Sequence, residues 1–276
     1  MALPEDFSKI FGSTATGGLT PIGDVNYAKG WEYVGSNPPT KNDFSYLQNI
    51  SDQKAKWLYD NNNGRLINRQ VFTSSGTYTP TTGAKFVVVE GVGGGGAGGG
   101  VQGVAAGSIT LAGGGGGGAW GVLKTNASSQ VVTIGSGGSG VSNGAGNNGG
   151  ATSFGSLLVL PGGAGAPKGG VATAAGYIGV PGSGGDAPVA ADYGGKGGQG
   201  GLGIAVSNIA GFSGAGGASI YGTGYSGGVN GASNLSSGVQ GTSYGCGGGG
   251  ALGTGASGAA AGANGRSGIL IIWEFS

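Results

Sequence analysis

Apolar side chains recur at helical spacing over 4–12 and 40–61, on either side of a turn-rich stretch over 13–39, whereas from Arg69 onward they recur at every second residue. Pro4 at a start, a stripe of Phe7, Ile10 and Phe11, and Gly12 as a stop predict one short helix. Trp31, Tyr33 and Val34 predict a brief strand that Asn37-Pro38-Pro39 ends. The strongest helical signal follows. Thr40 and Asp43 resemble a capping box with Asp in the usual Glu position, and Phe44, Leu47 and Ile50 share a face. Ser51 is expected to restart a second helix carrying Lys54, Trp57 and Leu58, and Asn61-Asn62-Asn63-Gly64 ends it with residues that tolerate left-handed backbone. Trp31, Tyr46, Trp57 and Tyr59 anchor only a small core, so this segment is expected to lean on partner chains.

Beyond it, Val71, Thr73 and Thr77-Tyr78-Thr79 predict one strand, and residues 85–90 a stronger one. Further strands are expected over 120–124, 131–134, 154–160 and 269–275, where β-branched, aliphatic and aromatic residues cluster. Between them lie glycine runs over 91–100, 113–118, 135–150, 161–165, 194–203, 211–217, 222–228, 245–250 and 253–265.

Composition shifts near Glu90. Residues 1–90 hold 16 of the 23 charged side chains and 9 of the 74 glycines, which leaves residues 91–276 almost uncharged. That contrast decides between two meanings of the glycine runs. Flexible linker is one, because glycine loses the most entropy on ordering. The other is an ordered set of three-residue-per-turn helices of the polyproline II type, hydrogen-bonded side by side, with glycine wherever chains crowd. The near absence of charge, the apolar residues at the ends of runs, and a final strand that must return to the sheet all favour order. The resulting fold class is mainly β. A small, partly helical N-terminal region over 1–68 precedes a β-sandwich-like sheet that carries a glycine-rich tip of packed polyglycine II helices over 69–276. If residue 90 leaves the sheet and the runs alternate, the far turns fall near 101–111, 166–178, 204–210, 229–237 and 259–261. Sheet-side turns then fall near 186–193 and 218–221.

Several chemistries are excluded or disfavoured. A net charge of +1 without a basic cluster gives no footprint for nucleic acid or an anionic membrane. With no histidine and Cys246 as the only cysteine, a zinc site, a Ser-His-Asp triad and an intrachain disulfide cannot be built. The start lacks a secretory pattern and no apolar run approaches a membrane span, so synthesis and folding in a cytoplasm are expected. Gly91-Val92-Gly93-Gly94-Gly95-Gly96 satisfies a dinucleotide fingerprint literally, but more glycine stands where the helix should be. Lys196 between glycines lacks the residues of a phosphate-binding loop. Asp186 and Asp192 read as solvated loop acids or hydrogen-bond acceptors from backbone amides rather than a glycosidase pair, and with Glu274 they make only three acids after Glu90, too few for a depolymerase. The chain is read as no enzyme, with no cofactor and no metal.

The residues with chemistry to offer are instead aromatic and aliphatic ones between the runs. Tyr177, Tyr193, Phe212, Tyr221, Tyr225 and Tyr244 stand beside Ser, Gly and Asn, the chemistry of rigid yet adaptable binding loops. Ile109, Leu111, Ile178, Ile204, Ile209 and Leu235 are expected to be exposed in the far turns, and such patches mark partner surfaces. The receptor-binding set is therefore Val104, Ile109, Leu111, Tyr177, Ile178, Ile204, Asn208, Ile209, Tyr221, Tyr225, Asn234 and Leu235.

Two stretches resemble tail fibre proteins of contractile-tailed phages and prophages. Met1-Ala2-Leu3-Pro4-Glu5-Asp6-Phe7 through Asn37-Pro38-Pro39 and Lys54-Ala55-Lys56-Trp57-Leu58 resemble the attachment module of Mu-like prophage fibres. Phe86-Val87-Val88-Val89-Glu90-Gly91 to Gly265-Arg266-Ser267-Gly268-Ile269-Leu270-Ile271-Ile272 resembles the glycine-rich domain at such fibre ends. More loosely, the chain resembles the polyglycine II tip adhesins of T-even-like phages. The resemblance implies a virion tail location and a homotrimer joined to tail, baseplate or fibre proteins through its N-terminal region. It also implies binding to a bacterial outer-membrane protein or lipopolysaccharide. The competing expectation is a structural or ice-binding glycine-rich protein.

Overall fold

The structure is a computed structural model that describes residues 41–61, 64–176, 178–226, 228–230 and 234–276. The helix expected over 4–12 and the strand expected over 31–34 lie outside the described residues. The chain divides into two compact units, 1–65 with Ser276, and 66–275.

In the first unit, α1 (Lys41–Asn61) is one continuous helix, which corrects the expected restart at Ser51. No glycine or proline interrupts this stretch. Bonds from Gln48 to Asp52 at 3.5 Å and from Gln53 to Asn49 at 2.6 Å span the turn on either side of Ser51. Gly64, at φ 91°, supplies the left-handed residue that follows.

The second unit runs back and forth between two ends. At the base lie β1 (Leu66–Phe72), β2 (Gly76–Tyr78) and β3 (Phe86–Val92), so the single strand expected over 71–79 is two strands in different sheets. The chain then leaves the base, forms β4 (Ile109–Leu111), and returns to β5 (Trp120–Asn126) and β6 (Gln130–Thr133). A second excursion turns near Ser142 and returns to the hairpin of β7 (Thr152–Phe154) and β8 (Leu158–Leu160). A third reaches β9 (Gly170–Ala172) and β10 (Ile178–Gly179) before β11 (Tyr193–Gly195). A fourth carries β12 (Gly203–Ala205) and β13 (Ala210–Phe212). A fifth carries β14 (Gly228–Asn230) and β15 (Asn234–Ser236). The last carries β16 (Leu252–Thr254), and β17 (Ile269–Phe275) closes the base.

The base is a sandwich of a five-stranded sheet, ordered β1-β17-β3-β5-β11, and a four-stranded sheet, ordered β2-β6-β7-β8. All pairings are antiparallel. Val87, Val89, Leu270 and Ile272 from one sheet meet Tyr78, Val132, Phe154, Leu158 and Leu160 from the other, all fully buried. This is the ordinary apolar core of the unit, and alternation along β3 and β17 puts it there.

The glycine runs above it are polyglycine II helices packed laterally. In the run 93–101 the amides of Gly93, Gly96 and Gly99 donate to Ala119, Gly116 and Gly113. Those of Gly94, Ala97 and Gly100 donate to Gly150, Asn147 and Gly144, and those of Gly95, Gly98 and Val101 to Arg266, Ala263 and Ala260. All nine bonds measure 2.8 to 3.1 Å. Every third residue faces the same neighbour, which is the three-residue turn of this helix type. The carbonyls of the run accept in turn: Gly95 from Gly138, Gly94 from Gly163, and Gly96 from Gly248. Six neighbours thus surround one run, and backbone groups that would be orphaned in an isolated helix are satisfied by the next helix.

Such closeness permits no side chain. A Cβ on Gly95 would fall on the carbonyl of Cys246, and one on Gly98 on the carbonyl of Gly249, well inside contact distance. Glycine is here a packing requirement between backbones rather than a source of flexibility.

Candidate functional site

At the far end the runs open into two four-stranded sheets, ordered β10-β12-β13-β14 and β15-β16-β4-β9. The chain crosses from one to the other between β9 and β10 and again between β14 and β15. A second small core lies between them, formed by Ile109 and Leu111 of β4, Ala205 of β12 and Leu252 of β16, all buried. Gly203 and Gly211 face this core. A Cβ on Gly203 would stand 2.7 Å from Leu111 Cδ1, and one on Gly211 3.0 Å from Ile109 Cδ1. Glycine on the inner face therefore admits the large side chains of the opposite sheet.

Strand alternation then sends the other residues outward. On β12 and its flanks, Gly203 and Ala205 are buried while Leu202, Ile204 and Val206 are exposed. Ile204 is paired across the ladder with Phe212, itself 59% exposed, and Val180 just after β10 is exposed as well. Leu202, Ile204, Val206 and Phe212, with Val180 beside β10, thus form an apolar stripe held on a hydrogen-bonded ladder. Loops at the same end are tied together: Asn208 Nδ2 donates to Gly107 O at 3.3 Å, and Gly255 N to Ser108 O at 2.9 Å.

The base end is chemically different. Tyr221 donates its hydroxyl to Glu90 of β3 at 2.9 Å, and burial together with that carboxylate pushes the phenol well above its ordinary value. Glu274 of β17 is fully buried and accepts from Tyr78 Oη, Thr81 N, Thr81 Oγ1 and Gln70 Nε2. Burial alone would raise its carboxyl, but the Thr81 and Tyr78 hydrogen bonds outweigh it and hold the group below the usual range. Asp186 and Asp192 have separate partners, Lys196 Nζ at 3.1 Å and the Lys124 amide at 2.6 Å. Two hollows also lie here, one apolar along Val159, Pro161 and Pro188, the other lined by Ser243, Tyr244 and Arg266. Arg266 Nε is engaged with Gly241 O at 2.8 Å.

A family model described as a glycine-rich domain matches residues 72–273. The chain belongs to this glycine-rich domain family. Comparison with curated proteins gives no match. The matched span opens in β1 and ends in β17, so the glycine-rich domain comprises the base sandwich, the helix bundle and the distal sheets together.

Within the glycine-rich domain the expected binding residues separate. Ile204, Asn208 and Ile209 come together on the β12–β13 hairpin, with Ile204 and Ile209 exposed and Asn208 half-buried. Asn234 and Leu235 are exposed on β15 of the other distal sheet. Ile178 opens β10, paired with Ile204. Tyr177 lies outside the described residues. Two expectations of exposure are corrected: Ile109 and Leu111 are fully buried, because they face inward between the distal sheets rather than into a solvated turn, and the binding candidate Val104 is also nearly buried, its amide bonded to Ser257 O. Tyr221 sits at the base, bonded to Glu90, and Tyr225 is exposed on the run leading away from it. Tyr193 stacks edge-on against Trp120, 5.9 Å between centroids, also at the base. Leu202, Val206 and Val180 lie outside the set expected from the sequence. The alternation Leu202-Gly203-Ile204-Ala205-Val206 carries the signal that would have found the first two.

Proposed function

We propose that the glycine-rich domain is the receptor-binding tip of a phage-type tail fibre, and that its distal sheets meet the surface of a bacterial host. The observation that carries this reading is the exposed stripe of Leu202, Ile204, Val206 and Phe212, held on hydrogen-bonded strands at the end of the bundle. Exposed apolar faces of this kind on a rigid support are where partners dock. The bundle serves as the support. It carries little side-chain surface of its own and sets the distal sheets a helix length from the base, roughly 25 Å at about 3.1 Å per residue.

In this reading residues 1–68 join the protein to tail, baseplate or fibre components, the chain assembles as a homotrimer, and the mature protein resides on the virion tail. The resemblance of the N-terminal stretch to prophage attachment modules supports that arrangement. The receptor is an outer-membrane protein or lipopolysaccharide of a Gram-negative cell. No reacting group is required.

The test is adsorption of the fluorescently labelled chain across a panel of Gram-negative strains, with oligomeric state measured by light scattering in the same preparation. Strain-selective adsorption by a trimer is the expected result. A folded trimer that adsorbs to no strain overturns the reading and leaves a structural spacer in its place.

A further inference from the structure

We infer that the distal end recognises an uncharged, apolar protein surface on the cell exterior, and not the phosphate-bearing or hydroxylated parts of a surface glycan. This rests on the receptor-tip reading and narrows it.

The stretches of sequence that include the distal strands, 101–111, 170–180, 202–212, 228–236 and 252–261, contain no Asp, Glu, Lys or Arg. The nearest cation in sequence is Lys168, on the run entering β9. Phosphate-rich surfaces are bound by clustered Lys and Arg, whose release of counterions makes the binding strongly salt-dependent, and one flanking lysine does not form such a cluster.

A glycan surrenders bound water on docking and must recover those hydrogen bonds from the protein. Leu202, Ile204, Val206 and Val180 offer none, and Phe212 is the one aromatic ring among the described residues of this stripe. Asn208, on the same hairpin, donates its amide to Gly107. What the stripe does offer is contiguous aliphatic area on a ladder that loses little entropy on binding, which suits aliphatic and aromatic side chains of another protein.

The experiment uses the full chain and a strain to which it adsorbs. Adsorption is measured on untreated cells, on cells shaved with protease, and on cells whose glycans are oxidised with periodate, each at low and high sodium chloride. Loss after shaving, retention after periodate, and a change of less than about threefold with salt are expected. Adsorption that survives shaving, disappears after periodate, or falls tenfold or more with salt overturns the inference while leaving the receptor-tip reading intact. Adsorption to no strain overturns both. Ile204→Lys is expected to reduce adsorption at least about tenfold by placing a charge in the apolar contact. Val206→Thr, close in shape and exposed in the free chain, guards against a folding artefact and is expected to weaken adsorption about threefold at unchanged melting temperature. Full adsorption by both variants overturns the assignment of the stripe.

Discussion

The hydroxyl of Tyr78 donates to Glu274 at 2.7 Å inside a site closed to solvent. Tyr78 belongs to β2 and Glu274 to β17, so the bond joins the two sheets of the base sandwich across the core. Thr81 adds two further bonds to the same carboxylate, at 2.9 and 2.6 Å. A charge at this depth is tolerable because several donors converge on it.

Glu274→Gln replaces an acceptor-only group by one whose amide must point a donor at Thr81 or Tyr78. A loss of about 2 kcal/mol is expected from chemical denaturation of the purified chain. The pH dependence follows from the same bonds. Because the folded-state carboxyl is held below its ordinary value of 4.5, the ionised form stabilises the fold above that pH. The contribution is lost as pH falls below 4.5 and through the folded-state value. Thermal unfolding across that range should show wild type converging on the Gln variant in acid, and parallel curves would refute the assignment.

Glycine within the bundle and glycine at the tip predict opposite outcomes. Gly98→Ala drives a methyl into the carbonyl of Gly249, backbone against backbone, with no flexible atom to yield. Overpacking of this kind costs about 3 kcal/mol or more, which lowers the melting temperature by about 6 to 12 °C. Gly258 has nothing within 4 Å of the corresponding position. Gly258→Ala is expected to stay within about 0.5 kcal/mol of wild type. Calorimetry on the two variants side by side checks the contrast.

Legibility in the sequence followed the same physics. The strand over 269–275 could be placed by its residues alone because Ile269-Leu270-Ile271-Ile272 is bulky and β-branched on both faces. The distal strands could not. Gly203-Ile204-Ala205, Ala210-Gly211-Phe212 and Leu252-Gly253-Thr254 are three residues long with a glycine in each, which dilutes the strand preference of Ile204, Phe212 and Thr254. They are strands because their neighbours are; Gly203 and Gly211 leave room for Leu111 and Ile109, and Gly253 for Leu235 and Ser257. Ile109 and Leu111, for their part, read as an exposed patch because their partners Ala205 and Leu252 lie far along the chain. Burial that depends on long-range contact leaves no local trace.

Leu111→Ala removes a fully buried side chain from the small core between the distal sheets and is expected to cost about 3 kcal/mol. The loss should be regional. Amide exchange is expected to accelerate in β4, β12 and β16, whose core residues pack together, and to remain slow in β17, which belongs to the base. Uniform acceleration in both would show that base and distal core unfold as one cooperative unit.

Tyr221 and Leu202 separate position from chemistry. Tyrosine is the residue composition alone would choose for a binding surface, yet Tyr221 spends its hydroxyl on Glu90 at the base. Tyr221→Phe removes that bond and leaves an unfilled acceptor on Glu90, at a cost of about 1 kcal/mol. Adsorption to host cells is expected to be unchanged, because the bundle stands between this turn and the distal sheets. Leu202→Ser alters a side chain that is 51% exposed on the outer stripe, so stability is expected to hold within about 1 kcal/mol while adsorption falls several-fold. Adsorption isotherms and melting curves for the two variants form a crossed design. If Tyr221→Phe abolishes binding and Leu202→Ser does not, the recognition surface lies at the base, and the bundle is a spacer facing away from the receptor.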